Sequence, residues 1–168
     1  MAGQRTRMLM GATVNGYPVM SELEGFTPPD VKKVMEEVQG GRFVPGEIWV
    51  GLEKMNYELK IGGLIGALAK AYGLQQGEIC QIDVKTSERD EDGKDYAVHY
   101  SLSGQLTGIK EDELKGKSKA GLATLSGTCT AYKKTENGTV LYDINVKTQV
   151  IDLGRGDVMA SHRRNVGI

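Results

Sequence analysis

Residues 79–108, ICQIDVKTSERDEDGKDYAVHYSLSGQLTG, decide the fold. In the second half Tyr96, Val98, Tyr100, Leu102 and Leu106 share one parity. Asp95, His99, Ser101, Ser103, Gln105 and Thr107 hold the other. The first half sets Cys80, Ile82 and Val84 against Gln81, Asp83 and Lys85. Period-two alternation is the signature of a strand with one buried and one wet face. Glu91-Asp92-Gly93 tolerates the backbone of a tight reversal. The stretch therefore predicts an antiparallel hairpin at the centre of a mostly-β chain.

Downstream, residues 122–133 and 139–151 predict a second hairpin around Asn137-Gly138. Val140, Tyr142, Ile144, Val146 and Val150 supply its apolar side, and threonine and serine line the opposite face of residues 122–132. Between the hairpins, residues 109–119 form a charged excursion, a solvated loop or one helical turn. Upstream, residues 47–61 read as one long strand whose apolar parity switches near Glu53-Lys54. Ile48, Val50 and Leu52 lie on one parity, and Met55, Tyr57, Leu59 and Ile61 on the other. Such a switch requires a bulge or passage from one core to another. A strand facing two ways suggests that part of it packs on a neighbour.

One helix is predicted, over residues 64–72, with Leu64, Leu68 and Tyr72 a turn apart and Gly73 just past its end. Val31, Val34, Met35 and Val38 also fall at helical spacing, with Asp30 as a cap, but over only two turns. Asn15-Gly16 predicts a small hairpin within residues 12–20. Residues 1–11 read as a flexible lead-in.

Length and composition set bounds on function. A chain of 168 residues is most simply one domain with a sizeable core. A net charge of −1 argues against holding nucleic acid by counterion release, though not against letting it slide past. No apolar run approaches a membrane span or a signal peptide. Cys80 and Cys129 sit in strand patterns and read as buried thiols; two cysteines alone do not build a zinc site.

The chemical motifs are weak. Gly116-Lys117-Ser118 lacks the P-loop glycine, since Glu111 stands there. Asp90-Glu91-Asp92-Gly93 lacks the spacing and the bidentate glutamate of a calcium loop. Asn137-Gly138-Thr139 matches a glycosylation acceptor but is explained by its turn. His99 and His162 have no catalytic or metal-binding frame. No catalytic, cofactor or metal residue is assigned. Arg163-Arg164-Asn165 beside the chain end reads equally as a solvated tail or as a docking clamp on an acidic neighbour.

The ending His162-Arg163-Arg164-Asn165-Val166-Gly167-Ile168 resembles that of the major tail tube proteins of contractile-tailed bacteriophages. Further features are similar to the family in the same order. They are Asn15-Gly16, Pro28-Pro29-Asp30-Val31, Gly40-Gly41, Val50-Gly51-Leu52-Glu53, Gly62-Gly63 with its helix, and Gly104. Residues 109–119 and 5–10 depart from the pattern. The resemblance implies an antiparallel β-sandwich or split barrel with one short helix, six copies closing into a ring. Stacked rings form a tube that passes DNA and the tape-measure protein, within a sheath and on a baseplate. It implies no enzyme activity, no cofactor, no membrane anchor, and a place in the virion after assembly in the host cytoplasm. It turns residues 28–47 into an extended arm and residues 152–168 into an interface tail. Inter-subunit contacts are then expected at Val31, Lys33, Met35, Glu37, Gly40, Gly41, His162, Arg163, Arg164 and Asn165. The polar serine/threonine face suits a non-sticky bore. Two rivals remain: the tube of a phage-derived bacteriocin or injection device, and a monomeric β-barrel that holds a small ligand.

Overall fold

A computed structural model describes residues 3–63, 66–117 and 121–168. Its strands, in chain order, are β1 (Arg5–Val14), β2 (Tyr17–Val19), β3 (Leu23–Thr27), β4 (Lys33–Val38), β5 (Gly46–Leu52), β6 (Asn56–Ile61), β7 (Cys80–Asp90), β8 (Asp95–Glu111), β9 (Ala123–Glu136), β10 (Thr139–Asn145) and β11 (Val150–Asp152). Helix α1 (Gly66–Tyr72) follows β6, and α2 (Ala160–Val166) closes the chain. The chain is mainly β, and every strand pairing is antiparallel.

The hairpin of β7 and β8 sits at the centre, in register from Cys80↔Gly104 to Arg89↔Asp95. Its even-numbered apolar side chains enter the core, with Ile82, Val84 and Leu102 almost wholly buried. The turn is fixed by Asp90, whose Oδ1 accepts the amides of Asp92 (3.0 Å) and Lys94 (2.9 Å) and whose Oδ2 accepts the Tyr96 hydroxyl (3.0 Å). These bonds, the Lys94 amide foremost, hold the Asp90 carboxyl below its usual range.

One sheet runs β11-β10-β9-β8-β7-β1-β2, with β6 and then β3 branching from β9. The branch point has a local cause. From Ala123 to Thr128, β9 pairs with β6; from Ala131 to Glu136 it pairs with β10. Between them β9 bulges against β8, because Ser103 faces Ala131 and Gly104 faces Cys129, leaving Thr130 over. The extra residue flips the buried parity from Ala123, Leu125 and Cys129 to Tyr132. Its backbone is not orphaned: the Thr130 carbonyl accepts the Val146 amide (2.8 Å), and Cys129 donates to the Met55 carbonyl (2.9 Å). The strands approach so closely here that a Cβ on Gly104 would stand 2.1 Å from the Thr128 carbonyl oxygen.

The sheet does not close into a barrel; its outermost strands are β11 and β2. The core between its branches is filled by Val14, Leu59, Ile61, Ile82, Leu102, Leu125 and neighbours. From α1, Leu68 and Ala71 enter that core, while Tyr72 stays half exposed. Leu64, the first of the expected stripe, lies outside the described residues.

Several expectations are corrected. The flexible lead-in of residues 1–11 is, from Arg5 on, strand β1 against β7. Residues 47–61 are two strands in two different sheets, with residues 53–55 between them. Of the charged excursion, residues 109–111 continue β8 because Ile109 still packs on the core; residues 118–119 lie outside the described residues. Residues 146–149 separate β10 from β11, and the tail ends in a second helix. The helical spacing of residues 31–38 misleads: Lys33–Val38 is a strand. Both expected hairpin turns form, with Asn15 and Gly16 at φ 48° and 85°, and Asn137 and Gly138 at 49° and 81°, the positive values a two-residue hairpin turn demands.

Candidate assembly interface

Strands β4 and β5 form a two-stranded ribbon that joins no other strand among the described residues. Its ladder runs from Lys33↔Leu52 to Val38↔Gly46, with Val50 the odd residue where the register shifts. The neck is closed by the Glu53 amide on the Lys32 carbonyl (2.8 Å). Alternation places Met35 and Trp49 on one face and Val38 and Ile48 on the other. Neither face is covered. Met35 is 43% exposed and Ile48 54%, while Phe43 at the tip is 100% exposed. An isolated two-stranded ribbon is marginal in water, and apolar groups on both faces add no self-contained core. Internal support is local: Lys33 Nζ lies 4.7 Å above the Trp49 ring, and Trp49 Nε1 donates to the Gly51 carbonyl (2.6 Å). Glu37 and Glu47 oppose each other directly, a like-charge pairing that costs stability.

The second feature is α2. None of its side chains is buried, yet it is braced. Asp157 Oδ1 accepts the Ile151 and Met159 amides (3.1 and 3.0 Å), and Oδ2 accepts Arg163 Nη2 (2.5 Å). Arg163 Nη1 donates to the Gln149 carbonyl (2.8 Å). The arginine, with the two amides, lowers the Asp157 carboxyl to about 2. Arg163 is thus engaged within the chain, whereas Arg164, His162 and Asn165 are exposed.

The sequence-derived candidates therefore divide. Lys33, Met35 and Glu37 stand on one ribbon face, with Gly40 and Gly41 in the tip connection. Val31 differs: it is half buried against the core and anchors the ribbon. Phe43 and Val44 escaped sequence reasoning, where the signal was an aromatic residue alone in a Gly/Pro-flanked loop, whereas Ile48 and Val50 stand in the strand whose parity switch pointed to a neighbour. Between the ribbon base and α2 runs a groove of about 570 Å³, lined by Val50, Leu52, Ile144, Val146, Ile151 and Met159 among others.

Two further surfaces stand out. Before Ala12, the outer edge of β1 has no strand beside it among the described residues, and Met8 and Leu9 are more than half exposed there. On its inner side Arg5 pairs with Glu136 (2.8 Å) and lies 3.6 Å over the Tyr96 ring. The polar face of β7–β8 is tied by Gln81 to Ser101 (3.0 Å) and by His99 Nε2 to Asp83 Oδ1 (3.0 Å). Both thiols are buried and pushed up by burial, Cys129 to about 12.

The profile of the family described as phage tail tube protein FII matches residues 9–167. The tail tube protein of Escherichia phage P2 is 24% identical over 176 aligned residues, covering 100% of both chains. Among solved structures, the sheath–tube complex of the extracellular contractile injection system PVC, in its extended state, aligns with a TM-score of 0.58 at 12% identity. That alignment covers 76% of this chain and 88% of the other. The tube-terminating cap of the anti-feeding prophage aligns with a TM-score of 0.57 at 14% identity, over 75% and 87%. Identities this low show shared fold.

Proposed function

This chain belongs to the phage tail tube protein FII family, and from that premise we propose that it polymerises as stacked hexameric rings into the inner tube of a contractile tail, a conduit for DNA. It is a structural protein rather than an enzyme. The observation that carries the reading is the ribbon, which bares apolar residues on both faces and is completed by no other strand among the described residues of its chain. A subunit of a polymer carries such surfaces because its neighbours cover them.

The free β1 edge fits pairing with a neighbouring subunit's sheet, which removes exposed edges around a ring. The hydrogen-bonded polar face of β7–β8 suits a bore that DNA slides along without being held. Sheath, baseplate and tape-measure proteins are the remaining partners, and the virion tail is the place of action.

Negative-stain electron microscopy of the concentrated protein, beside size-exclusion chromatography, tests this reading. Rings with a central hole or stacked tubes are the expected result. A monomer at every concentration, with or without a nucleating baseplate, overturns it and returns the monomeric ligand-binding reading. A tube of a phage-derived injection particle shares the ring and the fold; neighbouring genes distinguish it.

A further inference from the structure

We infer that the ribbon of one copy seats its apolar tip in the groove between the ribbon base and α2 of a second copy. This rests on the tube reading and names the surface that receives the arm. Phe43 and Val44 at the tip are 100% and 70% exposed, and the groove offers Val146 at 49% exposed beside Ile144, Ile151 and Met159. A chain's own tip does not reach its own groove. The groove starts at Val50 and Leu52, and the paired strand runs four residues further, about 13 Å, to Gly46 before the tip begins. A hydrogen-bonded ribbon does not fold back over that distance.

Charge selects the same partner. The outer ribbon carries Glu36, Glu37 and Glu47 against Arg42, and none of the three acids is in an ion pair among the described residues. Beside the groove, residues 155–168 carry Arg155, Arg163 and Arg164 against Asp157. Asp157 is already satisfied by Arg163, which leaves Arg155 and Arg164 outward on a braced segment. A guanidinium between Glu37 and Glu47 relieves their mutual repulsion and is suited to grip two carboxylates. Knob and hole lie at different places on one chain, so without reciprocal exchange of arms between two copies the contact is head-to-tail. Repeated, it closes a ring or propagates a stack.

The test uses full-length Phe43→Cys and Val146→Cys chains, mixed, assembled and treated with a short bismaleimide. Wild type controls for the two buried thiols. The expected result is a covalent dimer in the mixture, at least tenfold above either variant alone. Tubes that form without this mixed adduct overturn the inference and leave the tube reading standing; a mixture that never assembles, when wild type does not either, overturns both. Should a cysteine itself block assembly, charge exchange decides. Glu37→Arg with Glu47→Arg, and separately Arg155→Glu with Arg164→Glu, are each expected to cut sedimenting tubes at least tenfold. All four substitutions in one chain are expected to restore them. Failure of that restoration, with circular dichroism unchanged, overturns the inference.

Discussion

The β7–β8–β9 centre and the β4–β5 ribbon are both antiparallel, yet they are stabilised in different ways. In the centre, β8 is paired on both sides, and its apolar parity meets a filled core. In the ribbon each strand has one partner, and the apolar parity on either face meets solvent. Both regions are strands, but only the centre finds its burial within the chain. The filled core of the monomer lies in the first region, and on the proposed assembly the second is expected to contribute once copies associate.

Four measurements would break or sharpen that contrast. The largest effect on the monomer is expected from Gly104→Ala, because the new methyl meets the Thr128 carbonyl, a backbone atom that moves only by opening the β8–β9 ladder. A loss of about 3 kcal/mol in urea unfolding is expected, the upper end for overpacking. Next comes Ile82→Val in the core, with about 1 kcal/mol lost. Ile48→Ser on the ribbon is expected to change monomer stability by less than about 0.5 kcal/mol while sharply reducing ring formation. A ribbon variant that unfolds the monomer as readily as Gly104→Ala would erase the contrast.

The fourth concerns pH at α2 and is the smallest. Asp157 has a folded value near 2, below the usual carboxylate value of about 3.9. Its brace on α2 is therefore fully present above about pH 4 and is lost as pH falls through 2. Proteolysis at the C-terminus by an acid-active protease is expected to rise over that window. Asp157→Asn, which keeps the shape but weakens the grip on Arg163, is expected to show the raised cleavage already at pH 5. Equal cleavage of both proteins throughout would remove Asp157 as the brace.

What could be read in the sequence follows the same division. Residues 79–108 were legible because one-sided burial imprints strict alternation, and both Asn-Gly turns because their backbone leaves few residue choices. β1 was missed because only Ala12 and Val14 of the strand are buried. Its outer half is held by Arg5 and Arg7 against Glu88 and Glu136, partners distant in sequence. Helix α2 was missed because it buries nothing and so carries no amphipathic stripe; basic residues in its last turn and Gly167 after it were the available signs. The parity switch at Glu53-Lys54 was read as a bulge or a passage from one core to another within a single strand; the chain instead breaks there into two strands in different sheets. At the candidate interface the arm was legible only through family resemblance, since its own spacing favoured a helix. The even choice for Arg163-Arg164 turned on Asp157, whose role is visible only once β11 and α2 are folded together.

The ribbon's neck has a consequence for descent. Among the described residues the strands beyond the Glu53–Lys32 bond belong to no shared ladder, and apart from Leu52 at the base none of their residues packs on the core. Substitutions there are therefore screened by whatever the ribbon touches and hardly by folding. Such a segment drifts in step with its contact surface, so that pairs of compensating changes, rather than invariant residues, would be its mark among relatives.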